Sequence, residues 1–366
     1  MTTRLLDTKR QSTKAQTLAA RFALRIVGQS EATEALSAIL EKFQSGFYDR
    51  TKPIGSLLFL GPTGVGKTGV GEAFAEGLFG DPKKMLKVDC AEFQHSHEIA
   101  KLVGSPPGYL GHRETHAFFT NASLLAARSE PTAPSYAGST LGKEIMPFTV
   151  VMFDEIEKAS DALWNLLLGI LDKGTLTTGT NELVDFSNTV VIMTSNVGSA
   201  ELASGDDAIG FDTGAKVMSD TQMKETAMAA ARRKFMPEFL NRLDKVVVFK
   251  SLTPEDLNGI LTLEIDKLWD RVASHSPVPF EFTVSPAAFK QLLKEGYDKR
   301  YNARNLKRIL EEHVTLPLGR LVSTAQVMPN DTIIVDYNGE WTYYAEPAKS
   351  DKQCGVSAGR MALSPL

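Results

Sequence analysis

Apolar positions recur in two different rhythms along the chain. Residues 30–47, SEATEALSAILEKFQSGF, place apolar side chains about 3.6 residues apart behind Ser30, which predicts an amphipathic helix with Ser30 as its N-cap. Short continuous apolar runs follow, separated by helical patterns and turn residues. The runs occupy residues 56–60, 85–88, 148–153, 189–194 and 245–249. Such alternation predicts an α/β fold, in which helices cover both faces of a mainly parallel sheet.

The pattern changes after residue 250, where mostly helical segments begin. Thr253 and Pro254 suit the N-cap and the first position of a helix. Four later segments continue this part, with helices predicted at 286–295 and 303–321 and short strands at 280–284 and 332–337.

The predicted organisation has four parts. An N-terminal extension (1–23) precedes a large α/β domain (24–250), which is followed by a small domain (251–346). The tail, 347–366, is rich in Ser, Gly and Lys and is expected to be disordered.

Composition narrows the class of protein. The 366 residues include 40 Lys and Arg against 44 Asp and Glu, for a net charge of -4, without a basic run that would favour nucleic acid as partner. Cys90 and Cys354 are the two cysteines, and the N-terminus lacks the apolar region of a signal peptide. Apolar runs are shorter than the ~20 residues of a membrane span. We therefore expect a cytoplasmic protein with no membrane partner.

The densest chemistry lies in LLFLGPTGVGKT, residues 57–68, which satisfies G-x-x-x-x-G-K-[ST] between a predicted strand and a helix. Glycines in this loop let backbone N–H groups crowd around phosphate oxygens, and the helix presents its N-terminal dipole to the anion. Lys67 is expected to reach the β- and γ-phosphates, and Thr68 to bind Mg²⁺. The residues expected to contact ATP here are Gly61, Pro62, Thr63, Gly64, Val65, Gly66, Lys67, Thr68 and Gly69.

Two later apolar strands end in polar side chains. TVVMFDEIEKA, residues 149–159, delivers Asp154 and Glu155 where open α/β sheets bind ligands. Asp154 would hold Mg²⁺, and Glu155 could polarise the attacking water as a general base. Asn196, at the end of a second strand, could bind the γ-phosphate or that water. The paired carboxylates favour ATP hydrolysis over binding alone.

A further stretch, GSPPGYLGH at 104–112, matches no motif for a metal site, a catalytic nucleophile or a phosphate cradle. Tyr109 stands there in a Gly/Pro loop, outside any strand or helix pattern, which favours an exposed tyrosine over a buried one.

These motifs together resemble the AAA+ ATPases, and within them the second ATPase module of the Clp family of unfoldases and disaggregases, of the ClpB type. The resemblance implies a P-loop domain with a parallel five-stranded sheet flanked by helices, and a smaller, mainly helical domain with short strands. It extends from about residue 24 to residue 338. It is carried, in order, by IVGQ (26–29), PIGSLLFLGPTGVGKT (53–68), LVGSPPGYLG (102–111), VVMFDEIEKA (150–159), VDFSNTVVIMTSNVGS (184–199), FMPEFLNRLD (235–244) and GYDKRYNARNLKR (296–308).

The resemblance also implies roles for single residues. Ile26 and Val27 would lie beside the adenine, while Asn196 and Arg304 match the first and second sensors of the nucleotide. Arg242 matches an arginine finger that acts on a neighbouring subunit's γ-phosphate and so requires a ring; the alternative is a structural ion pair with Asp244 or another nearby acid.

One position in the sensor segment departs from the family. Asn302 stands where the family usually has glycine. Asparagine tolerates left-handed backbone dihedrals better than most residues, so we expect the turn to be kept.

The same resemblance identifies two pore segments. Gly108, Tyr109, Leu110 and Gly111 match the substrate pore loop of the family, in which a hexameric ring of aromatic side chains grips an extended polypeptide. Residues 172–185 resemble the inner pore loop, where Gly174 and Gly179 suit a mobile hairpin.

Two segments differ from the family pattern or suggest a partner. Residues 112–147 are about twice as long as the usual connection, and they either tune substrate choice or form a tolerated surface insertion. Ile209-Gly210-Phe211 resembles the tripeptide by which some Clp unfoldases dock a peptidase, although such a loop can also pack into its own domain. Because the motifs begin within the first thirty residues, a single ring is expected, and coupling to an Hsp70-type chaperone is not.

The leading hypothesis is a homo-oligomeric, Mg·ATP-driven protein unfoldase that threads polypeptide. The alternative is a nucleotide-gated scaffold that recruits a partner through 129–142 or 209–211 and does not thread. The charge balance disfavours a third class, a nucleic-acid motor.

Overall fold

The structure is a computed structural model that describes residues 7, 11–105, 116–128, 148–199, 201, 220–297 and 302–347. The described chain forms two compact units, of which the first extends to Ile260 and includes residues 302–304, and the second comprises Leu261–Tyr297 and the residues from Asn305 onward. The helices are α1 (Thr13–Ala23), α2 (Ser30–Ser45), α3 (Lys67–Phe79), α4 (Ala100–Val103), α5 (Asn121–Ala127), α6 (Asp161–Lys173), α7 (Asp220–Lys234), α8 (Pro237–Leu240), α9 (Pro254–His275), α10 (Pro286–Gly296), α11 (Arg304–Leu310) and α12 (Leu316–Ser323). The strands are β1 (Gly55–Leu60), β2 (Leu86–Asp89), β3 (Thr149–Asp154), β4 (Thr175–Thr177), β5 (Leu183–Asp185), β6 (Thr189–Ser195), β7 (Lys245–Val248), β8 (Glu281–Val284), β9 (Thr332–Tyr337) and β10 (Trp341–Glu346).

A five-stranded sheet forms the centre of the first unit, in the order β2-β3-β6-β1-β7. All four pairings are parallel, which confirms the α/β fold and the five predicted strands. Every residue of β1 and β6 is buried, as expected for strands covered on both faces. In register, Leu60 lies opposite Ser195, and Phe153 opposite Met193. The carboxyl ends of β1, β6 and β3 therefore meet at one edge of the sheet.

The predicted helix at 30–47 is present as α2, but the prediction that Ser30 caps it is wrong. Ser30 is the first helical residue, and Gln29 occupies the cap position without a side-chain cap bond. The Gln29 amide is used elsewhere, since its Nε2 donates to Lys250 O at 3.1 Å and its Oε1 accepts from Lys250 N at 3.3 Å. Gly46, at φ 72°, ends the helix before the predicted boundary.

Helix α1 lies within the predicted N-terminal extension, and the sequence analysis does not single it out. Ser12 caps it by accepting a hydrogen bond from Ala15 N at 3.2 Å. Ala15, Leu18 and Phe22 form its buried face, and the Phe22 ring stacks on Phe74 of α3 with centroids 6.2 Å apart. The helix therefore packs against the helix that carries the glycine-rich loop.

The hairpin expected at 172–185 is present as the antiparallel pair β4 and β5. Asn121 of α5 holds its second strand, because its Nδ2 donates to Leu183 O at 2.9 Å and its Oδ1 accepts from Asp185 N at 3.0 Å. The α5 helix thus orients the hairpin.

The predicted Thr253 cap is confirmed at the start of α9. Thr253 Oγ1 accepts from Asp256 N at 3.2 Å, and Asp256 Oδ2 accepts from Thr253 N at 2.9 Å. This reciprocal pair satisfies two N–H groups that a helix start leaves without partners.

The second unit contains a three-stranded sheet in the order β10-β9-β8. Strands β8 and β9 confirm the two predicted there, while β10 is not predicted by the sequence analysis. The predicted helix at 303–321 is interrupted, because residues Glu311–Thr315 form a π-helical turn just before Pro317. Proline lacks an N–H and crowds the carbonyl four residues earlier, that of His313. Tyr343 of β10 donates its hydroxyl to this carbonyl at 2.8 Å.

Within the described ranges, no helix combines the length and the apolar composition that crossing a membrane requires.

The packing of α1 leads to a first testable expectation. Leu18 is 0% exposed, so Leu18→Ala should lower the free energy of unfolding by about 3 kcal/mol, through lost burial and a cavity. Leu24, one residue beyond α1, is 65% exposed and provides a matched control, for which we expect less than about 0.5 kcal/mol. Chemical denaturation measures both, and equal effects would contradict the packing of α1 into the first unit.

Candidate active site

The glycine-rich loop connects β1 to α3 at the edge where the three strand ends meet. Gly61 has φ 148°, and a Cβ there would lie 2.8 Å from Phe249 O, so a side chain does not fit. Gly66 has φ 96° and stands at the N-cap of α3. Both positions need the conformational freedom of glycine, which is typical of a loop whose backbone approaches a bound phosphate.

Lys67, the first residue of α3, is buried beside this loop. Its Nζ donates to Gly61 O at 2.6 Å, to Pro62 O at 2.7 Å and to Asn196 Oδ1 at 2.8 Å. Burial lowers the pKa of Lys67 to about 8, against the opposing effect of the Glu157, Asp154 and Glu155 carboxylates. An anion placed beside this ammonium would favour its charged form, which suits a phosphate group.

Asp154, at the end of β3, meets Thr68 of α3. The Thr68 hydroxyl donates to both carboxylate oxygens at 3.2 Å, and Lys87 Nζ lies 2.9 Å from Asp154 Oδ2. Burial raises the pKa of Asp154, but hydrogen bonds from Thr194 and Lys87 outweigh it and hold the pKa below its usual range. The carboxylate is therefore ionised at neutral pH.

Thr68 and Asp154 are suited to hold Mg²⁺. A hydroxyl and an ionised carboxylate within hydrogen-bonding distance are the hard oxygen ligands that this ion prefers, and it usually takes its remaining ligands from water and substrate phosphates. The donor set fits the magnesium site expected from the sequence.

Glu155 adopts a left-handed backbone, with φ 56° and ψ 48°, which is uncommon for a residue with a side chain. Its N–H donates to Thr194 Oγ1 at 3.0 Å, and its Oε1 accepts from Asn196 Nδ2 at 3.2 Å. Lys158 forms an ion pair with the other carboxylate oxygen. These contacts offset the backbone strain and direct the carboxylate towards the end of β6.

Asn196 joins the parts of the site. Its amide contacts both Lys67 and Glu155, and its backbone N–H donates to Glu157 Oε1 at 3.1 Å. The structure thus brings together Lys67, Thr68, Asp154, Glu155 and Asn196, all expected from the sequence.

Ile26 and Val27 lie between α1 and α2, and a neighbouring residue links them to the glycine-rich loop. The side-chain nitrogen Nε2 of Gln29 lies 3.5 Å from Val65 O in that loop. Val27 packs against Gly259 of α9, where an added Cβ would lie 3.2 Å from Val27 Cγ1. The expected adenine contact of Ile26 and Val27 stays a prediction.

Arg242 follows α8 and forms ion pairs within its own chain. Its Nη1 lies 2.8 Å from Glu238 Oε1 and its Nε 3.4 Å from Asp172 Oδ1. Asp244, the acid named in the alternative, instead accepts from Ser56 N at 2.8 Å and pairs with Lys42.

Arg304 is exposed at the first position of α11. Asn302, two residues before it, has φ 48°, which confirms the left-handed turn expected of the asparagine. Its side chain reaches the glycine-rich loop, since Nδ2 donates to Thr63 O at 3.1 Å.

Three expected features lie outside the described residues. These are the pore-loop residues Gly108, Tyr109, Leu110 and Gly111, the tripeptide Ile209-Gly210-Phe211, and most of the insertion at 112–147.

Four further residues contact the site although the sequence analysis assigns them no role. Lys87 and Thr194 bind Asp154, Gln29 lies at Val65, and Glu157 binds the backbone of Asn196. Lys87 lies two residues before the end of β2, the strand that pairs with β3. A prediction of this strand order from the sequence would have placed Lys87 near Asp154. Gln29 ends the IVGQ stretch (26–29) that carries the family resemblance, and that stretch is the signal that could have drawn attention to it.

Comparison with known proteins matches both parts of the chain. Residues 52–246 match a family model described as AAA domain (Cdc48 subfamily). Residues 252–335 match the C-terminal, D2-small domain of ClpB protein.

Two curated relatives align with most of this chain. The chaperone protein ClpB of Rhodopirellula baltica is 35% identical, covering 92% of this chain and 34% of the relative. The ATP-dependent Clp protease ATP-binding subunit ClpC of Staphylococcus epidermidis is 37% identical, covering 86% of this chain and 36% of the relative. The chain therefore spans about a third of the length of each relative.

A solved structure has a similar fold. It is described as the closed-state cryoEM reconstruction of Hsp104:ATPyS and FITC casein, with a TM-score of 0.73 and 27% identity. The alignment covers 91% of this chain and 52% of that one.

The strain at Glu155 can be measured with a matched pair of variants. Glu155→Gly and Glu155→Ala lose the same carboxylate contacts, but only alanine keeps a Cβ at φ 56°. We expect the glycine variant to be the more stable by about 1 kcal/mol.

The same pair at Glu225 serves as the control for Glu155. Glu225 is an exposed residue inside α7, where alanine should be the more stable by about 1 kcal/mol. Chemical denaturation compares the four variants, and alanine being favoured at both positions would contradict the strain.

Proposed function

The chain belongs to the AAA+ ATPases of the Clp type, and from this premise we propose that it is a ring-forming, Mg·ATP-driven remodelling ATPase that threads polypeptide through a central pore. The observation that carries the proposal is the hydrogen-bonded group of Lys67, Asn196 and Glu155 beside the Thr68–Asp154 pair. It combines a phosphate-binding loop with a second carboxylate next to the metal ligand, the arrangement that hydrolysis requires.

The proposed roles at the nucleotide follow from the contacts of each residue. Residues Gly61–Gly69 surround the phosphates, with backbone N–H groups from all of them except Pro62, which has none. Lys67 moves from its loop carbonyls to the phosphate oxygens, because an anion is a better partner for a buried ammonium than neutral carbonyls. Thr68 and Asp154 hold Mg²⁺, which would neutralise charge on the phosphate oxygens.

Glu155 is proposed as the group that polarises the attacking water. Its ion pair with Lys158 and its hydrogen bond from Asn196 orient the carboxylate, so that an oxygen is placed to accept a proton from water. The Asn196 amide N–H that donates to Glu155 can instead donate to the γ-phosphate. A switch of this hydrogen bond between the two partners would make the orientation of Glu155 depend on whether the γ-phosphate is present.

Arg242 has two interpretations that the ion pairs do not separate. Glu238 and Asp172 can hold the guanidinium ready for the γ-phosphate of a neighbouring subunit, which is the finger role. They can also be its permanent partners, which is the structural role. We propose the finger, with Arg304 acting on the nucleotide within its own subunit.

Polypeptide as substrate is proposed from the relatives. ClpB is named a chaperone, ClpC the ATP-binding subunit of a protease, and the Hsp104 structure is described with casein. We propose that Tyr109, with Gly108, Leu110 and Gly111, contacts the polypeptide, and that the β4–β5 hairpin forms a second contact.

The alternative remains a nucleotide-gated scaffold that recruits a partner without threading. Ile209-Gly210-Phe211 is its candidate contact, with a peptidase or an adaptor as the partner.

A mixing experiment tests hydrolysis and the ring together. Glu155→Gln and Arg242→Ala should each lower ATP turnover at least about a hundredfold when alone. In an equal mixture of the two variants, a junction between subunits is complete when an Arg242→Ala subunit, which keeps Glu155, binds the nucleotide and its neighbour is a Glu155→Gln subunit, which keeps Arg242. If the subunits assemble at random, about a quarter of the junctions have this composition. Turnover should therefore recover to a measurable fraction of wild type.

The structural role of Arg242 gives a different result in the same experiment. If Arg242 serves only Glu238 and Asp172, the mixture shows the sum of the two variants and no recovery. Lys67→Met mixed with Glu155→Gln is the control, because both defects then lie in the same site and every junction lacks one group.

Tyr109 distinguishes threading from scaffolding. Tyr109→Ala should lower ATP-dependent unfolding of a tagged fluorescent protein at least about tenfold, since an aromatic contact with the substrate is lost. Tyr109→Phe keeps the ring and should retain most of the unfolding. Unfolding by Tyr109→Ala at the wild-type rate would favour the scaffold.

A further inference from the structure

Asn302 makes a contact for which the proposed hydrolysis mechanism has no use. It is 4% exposed, has φ 48°, and donates Nδ2 to Thr63 O at 3.1 Å, across 239 positions of the chain. Asn302 thus supplies a buried amide donor to one backbone carbonyl of the glycine-rich loop.

Thr63 is held from both its backbone and its side chain. Its carbonyl accepts from Asn302, and its hydroxyl lies 3.4 Å from Asn196 Oδ1, the atom that also accepts from Lys67. A peptide unit is planar, so fixing the Thr63 carbonyl fixes the direction of the N–H of Gly64 on the other side of the same bond. That N–H is one of those expected to bind phosphate.

The hydrogen bond between Asn302 and Thr63 also restricts the position of the Arg304 backbone. Arg304 lies two positions after Asn302 in the chain, so their Cα atoms are within about 7 Å of each other. The backbone of Arg304, which belongs to the first unit, is therefore tied to the glycine-rich loop through the Asn302 amide.

We propose that Asn302 is a positioning residue for the nucleotide, which holds the Thr63–Gly64 peptide so that its N–H is presented to the phosphates and keeps Arg304 near them. This inference rests on the proposed ATP site. Asparagine is suited to this role in the present chain because it combines tolerance of a left-handed backbone with an N–H donor: glycine lacks the donor, and aspartate cannot donate when ionised.

The test uses Asn302→Gly and Asn302→Asp in the full chain. Both residues tolerate the left-handed backbone, and both remove the donor, while aspartate also brings a charge against the Thr63 carbonyl. We expect Asn302→Asp to weaken binding of mant-ADP about tenfold or more and Asn302→Gly less, with the KM for ATP rising more than kcat falls. Hydrogen exchange of the amides at 63–66, measured without nucleotide, should accelerate in both.

Asn330 provides matched control variants. It has φ 67° and is exposed at a turn before β9, so Asn330→Gly and Asn330→Asp test the same substitutions without the Thr63 contact. Neither should change mant-ADP binding or the exchange at 63–66.

The outcomes separate this inference from the proposed function. Wild-type binding and wild-type exchange in both Asn302 variants would overturn the positioning role, as would equal changes in the Asn330 pair. If the wild-type chain itself fails to bind mant-ADP, the proposed function fails, while the exchange at 63–66 still decides whether Asn302 holds the loop. If Asn302→Asp does not fold, Asn302→Gly carries both measurements.

Discussion

The buried ammonium of Lys67 is the constraint on which the rest of the candidate site depends. A charge taken out of water is unfavourable unless hydrogen bonds replace its hydration, and Lys67 obtains them from Gly61 O, Pro62 O and Asn196 Oδ1. The two carbonyls are available only if the loop turns through glycines with positive φ, and the amide only if β6 lies beside β1. Strand order and loop conformation are therefore both needed to satisfy one side chain.

The same edge of the sheet supports the strain at Glu155. Thr194 binds the Glu155 N–H and, through its hydroxyl, the Asp154 carboxylate, so one β6 side chain holds the two acidic residues that end β3. Backbone strain of this kind persists where the surrounding contacts determine the backbone conformation. It points the Glu155 carboxylate in a direction that an ordinary extended backbone at the end of β3 would not. The parallel pairing of β3 and β6 thus links local strain to the proposed chemistry.

Much of the fold and the centre of the site could be predicted because their signals are local. The five strands of the large sheet are short apolar runs, and Lys67, Thr68, Asp154 and Glu155 occur at fixed spacings next to them. The predictions that were wrong are those in which a residue's local role competes with a hydrogen bond to a residue distant in the chain. Ser30 has the right chemistry for an N-cap, but Gln29 takes that position while its amide binds Lys250. The helix at 303–321 continues past Pro317 only because a π-helical turn and the Tyr343 hydroxyl accommodate the His313 carbonyl.

The sequence by itself determined the fold class, the glycine-rich loop and the acidic strand end, since each depends on residues close together in the chain. Only the tertiary structure decided that Lys87 binds Asp154, that Gln29 lies at Val65, that Arg242 pairs with Glu238 and Asp172, and that Asn302 donates to Thr63. The physical reason is that a hydrogen bond needs its two atoms about 3 Å apart and aligned. For partners separated by as many as 239 positions, that distance results from the packing of strands and helices and from no pattern in the residues themselves.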